Sequence, residues 1–277
     1  MADTPDPTAR VAGLFDALSA TYDAVGVDFF APIADGLLTC LPPRPGERWL
    51  DVGCGRGAVL LPAAEAVGPD GRVTGIDISP GMAEQARRLA AERGLDNVGV
   101  TVGDARDPQV DGPVDVVASS LVLFFLPDPV AALRSWRSLL APGGRLGVAT
   151  FGAVDPRWEH VDEVFAPHLP PQMHDARTTG SEGPFASDAG METLVRDAGY
   201  VDVRTKTLDL PVRFADAEQW HAFTWSIGQR AMWLAVPEEQ RADVRAEAER
   251  RIASYADADG SVTFSQVVRY TLASRPS

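Results

Sequence analysis

The chain has 277 residues, 45% of them hydrophobic and 23% charged, an ordinary globular composition that excludes a disordered or fibrous chain. Its formal charge of −14 argues against nucleic acid or an anionic membrane as partner, because both are gripped by basic surfaces. No apolar run reaches the roughly 18 residues that a spanning helix needs, and the start MADTPDPTAR has neither the basic region nor the apolar stretch of a signal peptide.

Residues 1–8 are polar and proline-bearing, so they read as frayed. Residues 10–41 read as helical: Val11, Leu14, Phe15 and Leu18, then Phe29, Phe30, Ile33, Leu37 and Leu38, recur at helical spacing. The Pro42-Pro43-Arg44-Pro45-Gly46 stretch ends that pattern, so residues 1–45 are expected to form an N-terminal helical cap.

A regular alternation follows. Strands are expected at 48–52, 73–77, 98–102, 114–119 and 145–151, and helices at 58–67, 80–93 and 129–140. Ser79 and Asp128 precede Pro80 and Pro129, an N-cap followed by proline at the first helical position. The mainly apolar run at 114–119, interrupted by Asp115, suits a strand buried on both faces. Past residue 151 the rhythm changes: 152–187 reads as irregular, 189–198 as helix, 201–207 as strand, 216–234 and 237–255 as helices, and 263–274 as a last strand. The expected fold is α/β, a doubly wound, seven-stranded and mostly parallel sheet. The main domain would span 46–277, with cap insertions at about 152–187 and 215–256.

The segment Asp51-Val52-Gly53-Cys54-Gly55-Arg56-Gly57 joins the first strand to the first helix of this alternation. Glycines there allow a tight turn and close ligand approach, and the helix N-terminus behind them suits an anion. Gly53, Gly55 and Ala58 also satisfy a dinucleotide-binding pattern. Asp51 separates the two readings, since a carboxylate two residues before the first glycine would repel a pyrophosphate. It suits a ligand with an amino group and a positive sulfonium.

Asp51-x-Gly53-x-Gly55-x-Gly57 resembles the first motif of the class I S-adenosylmethionine-dependent methyltransferases, a Rossmann-like family, and further residues follow in the family's order. The resemblance implies that Asp77, ending the second strand in Ile76-Asp77-Ile78-Ser79, holds the ribose hydroxyls. It implies that Met82 packs on the adenine, and that Asp104, with Ala105, meets the adenine amino group. It also implies that Ser120 lies over the cofactor. Phe15-Asp16-x-x-Ser19-x-x-Tyr22-Asp23 resembles the ubiquinone/menaquinone-type small-molecule branch, in which the tyrosine approaches the cofactor. Tyr22, Asp51, Gly53, Cys54, Gly55, Asp77, Ile78, Met82, Asp104, Ala105 and Ser120 are therefore the expected cofactor-binding residues, with Cys54 contributing backbone only.

Methyl transfer from a sulfonium starts from an activated electrophile, so positioning carries most of the catalysis, and a base helps when the nucleophile carries a proton. His160, His168 and His174, all in 152–187, are the expected catalytic bases, with His221 a further candidate. Phe124, Phe125, Trp158, Trp220, Trp225 and Trp233 could line an aromatic pocket, although Trp225 and Trp233 sit at the spacing of core residues. No Asn/Asp-Pro-Pro-aromatic motif follows the fourth strand, which argues against DNA and glutamine amino-methylation. No acidic set suits a metal there. The expected function is methyl transfer from S-adenosyl-L-methionine to the O, N or C atom of a small organic acceptor, a specialised metabolite or quinone-like ring. The rivals are a cofactor-binding domain without methyl transfer and an NAD(P)-dependent oxidoreductase. With two cysteines and no zinc framework, a cytoplasmic protein is expected, and a homo-oligomer is compatible with the sequence.

Overall fold

The computed structural model describes residues 7–170 and 183–277. Seven strands form one sheet in the order β3-β2-β1-β4-β5-β7-β6. β1 (Arg48–Val52), β2 (Arg72–Asp77), β3 (Val98–Val102), β4 (Val114–Ser120) and β5 (Leu140–Val154) pair in parallel. β7 (Val262–Ser274) runs antiparallel between β5 and β6 (Val201–Phe214). The strand order reverses between β1 and β4, and the crevice at their carboxyl ends is where such sheets bind ligands.

Side chains alternate across the sheet, as the period of two requires. In β1, Trp49 joins the core on one face and Leu50 and Val52 the core on the other. α1 (Pro7–Leu18) lies against α4 (Pro80–Glu92). α2 (Phe30–Cys40), α3 (Leu60–Val67) and α4 build the first core, and α5 (Pro129–Leu139) the second. The caps act as their residues suggest: Ser79 Oγ accepts from the Met82 amide at 3.1 Å and Asp128 Oδ1 from the Ala131 amide at 2.9 Å.

The expected helix at 10–41 is two helices. The chain turns between them through Asp23 (φ 53°) and Gly26 (φ 72°). α2 is a layer of the sheet rather than part of a separate cap, because Gly36 and Gly147 leave room for it: a Cβ on either would strike Tyr270 or Leu41.

Later in the chain, α6 (Pro156–Asp162) stands in the segment read as irregular, and Asp155 caps it by accepting from the Arg157 amide at 2.8 Å. A 3-10 turn, Glu163–His168, follows. α7 (Asp188–Asp197) joins the second core. β6 runs well beyond its expected end, and Pro211 within it is tolerated because β6 is the sheet's edge. The expected helix at 216–234 is α8 (Ala217–Ser226) and α9 (Arg230–Ala235), interrupted around Gly228. α10 (Arg241–Ala253) packs on α6 and α8. Trp233 of α9 meets Trp220 of α8 and Phe165 of the 3-10 turn edge-on.

Candidate functional site

A cavity of about 400 Å³ opens at the carboxyl ends of β1 to β4, within the range of roughly 300–1,000 Å³ typical of small-molecule and cofactor sites. Every expected cofactor-binding residue lines it: Tyr22, Asp51, Gly53, Cys54, Gly55, Asp77, Ile78, Met82, Asp104, Ala105 and Ser120. The glycine loop has the backbone its composition suggests, with Gly53, Gly55 and Gly57 at φ 71°, 51° and 100°. Gly53 is required twice over, by its left-handed backbone and because a Cβ there would overlap the Val122 side chain.

Asp51 is buried, and among the described residues its Oδ2 has no hydrogen-bond partner. Burial pushes its carboxyl up to about 7; the nearby Asp77 adds to the rise, and a backbone hydrogen bond from Leu60 opposes it. Asp77 Oδ2 accepts from the Gly55 amide at 2.8 Å and Oδ1 from the Ser79 amide at 2.9 Å. One carboxylate thus ties the glycine loop to the start of α4. Burial raises Asp77, and the backbone hydrogen bonds of Ser79, Gly55 and Ile78 oppose that rise. Asp104 holds Arg106 through Oδ2, 2.6 Å from Nη2 and 2.9 Å from Nε, which pulls its carboxyl below the usual range.

The N-terminal segment closes one side of the cavity. Tyr22 stacks on Phe30 at 4.7 Å between centroids and meets Phe15 edge-on at 6.0 Å. Burial and the neighbouring Asp23 and Asp77 raise its phenol, so it stays protonated. Asp23 is pushed up to about 6 by burial, against the pull of Arg56. Cys54 is buried and its thiol is raised well above the usual range by burial. Leu121 (φ 60°) and Phe125 form the wall after β4.

The described histidines lie elsewhere, which corrects the expectation that they reach the site. His160 is exposed on α6, its Nδ1 2.8 Å from the Tyr255 hydroxyl, because α6 turns it toward α10. His168 ends the 3-10 turn, and neither lines the cavity. His221 packs on Trp233 at 4.9 Å, and burial lowers its pKa. His174 lies outside the described residues. Among the pocket aromatics, Phe125 lines the cavity, whereas Trp158, Trp220 and Trp233 are core side chains and Trp225 packs against that core. Phe124 stacks on Phe151 at 5.5 Å.

Sequence reasoning passed over Arg56, Phe15 and Arg106 as lining residues. The first two lay within motifs already singled out, and Arg106 follows Asp104 by two residues.

Comparison with known proteins agrees with this geometry. The profile of the family described as "Methyltransferase domain" matches residues 43–190. Nocamycin O-methyltransferase of Saccharothrix syringae is 41% identical over 93% of this chain and 95% of its own length. Aklanonic acid methyltransferase of Streptomyces sp. strain C5 is 44% identical over 72% of this chain and 94% of its own. Among solved structures, the YcgJ protein of Bacillus subtilis shares the fold, with a TM-score of 0.57 and 16% identity over 89% of this chain and 99% of that one. The chain belongs to the class I S-adenosylmethionine-dependent methyltransferases. It is an enzyme that transfers a methyl group to a small organic acceptor.

Proposed function

We propose that the chain methylates an acidic oxygen, a carboxylate or an enolate, of an apolar specialised metabolite, using S-adenosyl-L-methionine as donor. The observation that carries the donor reading is the arrangement of Asp51, Asp77 and Asp104 around one cavity, with Asp51 Oδ2 buried and unpartnered among the described residues. A buried acceptor without a donor is costly, and an α-ammonium would complete it. Asp77, fixed by two backbone amides, would accept the ribose hydroxyls, and Asp104 the adenine amino group. Met82, buried at the cavity edge, would pack on the base. Ile78 and Ala105 would flank it, Ser120 would lie over the donor, and Tyr22 would close the methionine end.

The donor supplies a methyl group on a positive sulfur. The protein's part is to position the acceptor in line with it and to exclude water. Among the described residues, no histidine lines the cavity. An acceptor that arrives already ionised needs no base, so a carboxylate or enolate suits this site better than a protonated amine. The apolar wall of Phe15, Phe30, Leu121, Phe125 and Leu126 suits a hydrophobic ring system. The relatives' names point the same way, one to an O-methyltransferase and one to an acid as substrate.

The free Cys40 and Cys54 support a reducing cytoplasm, and the net charge of −14 supports a partner other than nucleic acid. No described helix is long and apolar enough to cross a membrane. The test uses methyl-labelled S-adenosyl-L-methionine with a panel of apolar ring-bearing carboxylic acids, enols and amines, read by mass spectrometry. Label on an acid or enol oxygen is expected. Label only on nitrogen or carbon would refute the oxygen assignment.

A further inference from the structure

Arg269, on β7, is the one arginine buried among the described residues. It stands between Thr150 of β5 and Thr207 of β6 in the sheet register. Its guanidinium reaches α7 and the 3-10 turn Gly183–Ala186 that precedes it. Nε donates to Asp188 Oδ1 at 2.9 Å, and Nη2 to the Ala186 carbonyl oxygen at 3.1 Å. Nη1 donates to the carbonyl oxygens of Phe151 at 3.0 Å and Phe185 at 2.6 Å. The Thr207 hydroxyl donates to the same Asp188 carboxylate at 3.0 Å. Burying a guanidinium is costly unless its donors are met, and a position that asked only for packing could hold an apolar side chain. The charge at 269 therefore fixes a geometry.

That geometry concerns two phenylalanines. A single nitrogen, Nη1, holds the backbones of Phe151 in β5 and Phe185 in the 3-10 turn. Their rings flank Phe124, which belongs to a second 3-10 turn, Leu123–Phe125. Phe151 stacks on Phe124 at 5.5 Å between centroids, and Phe185 meets it edge-on at 6.4 Å. Aromatic pairs hold their partners in such orientations, so these two rings set the place of Phe124. Phe124 in turn lies 4.7 Å from Phe125, and Phe125 meets Phe15 edge-on at 5.6 Å. Phe125 and Phe15 both line the cavity, whereas Arg269 does not. The contacts thus run from a buried cation outside the cavity to its apolar wall. Gly190 lets the arrangement close: a Cβ there would lie 2.5 Å from the Pro184 carbonyl oxygen, and its absence brings the first turn of α7, with Asp188, against the turn that carries Phe185.

We propose that Arg269 is a positioning residue for the acceptor: by holding the backbones of Phe151 and Phe185 it clamps Phe124, and so fixes Phe125, the ring against which an apolar acceptor rests. This rests on the reading of the apolar wall as the acceptor's side of the cavity. Asp51, Asp77 and Asp104, the groups assigned to the donor, take no part in this line of contacts. The clamp therefore acts on acceptor binding and leaves donor binding alone.

The experiment compares the full chain as wild type, Arg269→Lys, Phe185→Leu and the double variant. Lysine keeps the charge beside Asp188 but lacks the planar fork that reaches several carbonyls at once. The readings are calorimetric affinity for S-adenosyl-L-methionine, kcat and KM for the ring-bearing acid of the panel that takes up label, and the fluorine resonance of a fluorinated phenylalanine placed at position 125. A second label at Phe165, whose ring meets Trp233, serves as reference. Each single variant is expected to raise KM about tenfold with kcat and donor affinity held within roughly threefold, because a misplaced positioning group can cost up to about a hundredfold. The double variant should raise KM by less than the product of the two, since coupled residues are not additive. The resonance at 125 should shift in both single variants and that at 165 in neither. An unmoved resonance at 125, an unchanged KM or independent losses in the double variant would each overturn the proposal. Donor affinity, kcat and the resonance at 165 changing together would also overturn it, as the mark of a general loosening. Should Arg269→Lys not fold, Phe185→Leu decides by the same readings. Should no ring-bearing acid take up label, the acceptor reading itself fails, and the fluorine resonances still decide whether Arg269 fixes Phe125.

Discussion

Asp16 and Gly81 stand 65 residues apart in sequence, and Asp16 Oδ1 accepts the Gly81 backbone N–H at 2.7 Å and the Ser79 hydroxyl at 3.1 Å. The carboxylate thereby sits on the first turn of α4, where the helix dipole favours negative charge. It fastens α1 to the segment that carries Asp77. Gly81 permits the contact: a Cβ there would lie 2.9 Å from Asp16 Oδ1 and press on Ser19. Alanine ordinarily stabilises a helix by up to about 1 kcal/mol over glycine. Gly81→Ala is expected to gain none of this, to weaken donor binding several-fold and to speed proteolysis at Arg10. A raised melting temperature with unchanged donor affinity would contradict the docking role.

Asp77→Ala removes the acceptor for the Gly55 and Ser79 amides as well as the proposed partner of the ribose. Donor binding is expected to weaken by about 1–3 kcal/mol, the cost of losing a charged hydrogen-bonding partner. Denaturant unfolding should show a parallel loss of stability. Unchanged titration heats would remove the ribose assignment.

The raised carboxyl of Asp51 gives donor binding a proton linkage. The unfolded group ionises near ~3.9, whereas burial holds the folded one at about 7. Between these values the folded protein holds the extra proton, so the stability of the ligand-free chain falls as pH rises from about 4 to about 7. An ammonium partner favours the ionised form. Donor binding near about pH 6 should therefore release a proton, and affinity should rise with pH up to about 7. Titrations in two buffers of different ionisation enthalpy measure that release directly. Asp51→Asn should abolish it, and proton uptake by the wild type would contradict the assignment.

His160→Ala and His168→Ala are expected to keep turnover and donor affinity, because neither residue lines the cavity. For the exposed His160, a stability change within about 0.5 kcal/mol is expected. A large fall in kcat in either variant, with donor affinity intact, would return a histidine base to the mechanism.

The part of the chain from 46 to 151 is legible because its signals are local: strand, glycine turn, N-cap and proline recur in step, and Asp51, Asp77 and Asp104 fall at successive strand ends. What escaped depends on contacts between distant segments. α2 reads as cap by its place in the chain, yet Gly147 and Gly36 draw it onto the sheet. Pro211 looks like a strand breaker, and only the edge position of β6 makes it harmless. The 152–187 segment, with its histidines, is expected over the carboxyl ends of the strands, but the cap of α6, set by Asp155, turns His160 toward Tyr255. Arg56 lies within the motif and carries no signal of its own, because its contact with the Tyr22 carbonyl joins segments 34 residues apart in sequence.

The most direct test of the cofactor site is calorimetric titration of the wild type with S-adenosyl-L-methionine and S-adenosylhomocysteine, with NADH as control. Binding of the first two at one site per chain, in the micromolar range, with no heat from NADH, is the expected result. Binding of NADH, or silence toward both sulfur nucleosides, would contradict the roles given to Asp51, Asp77 and Asp104.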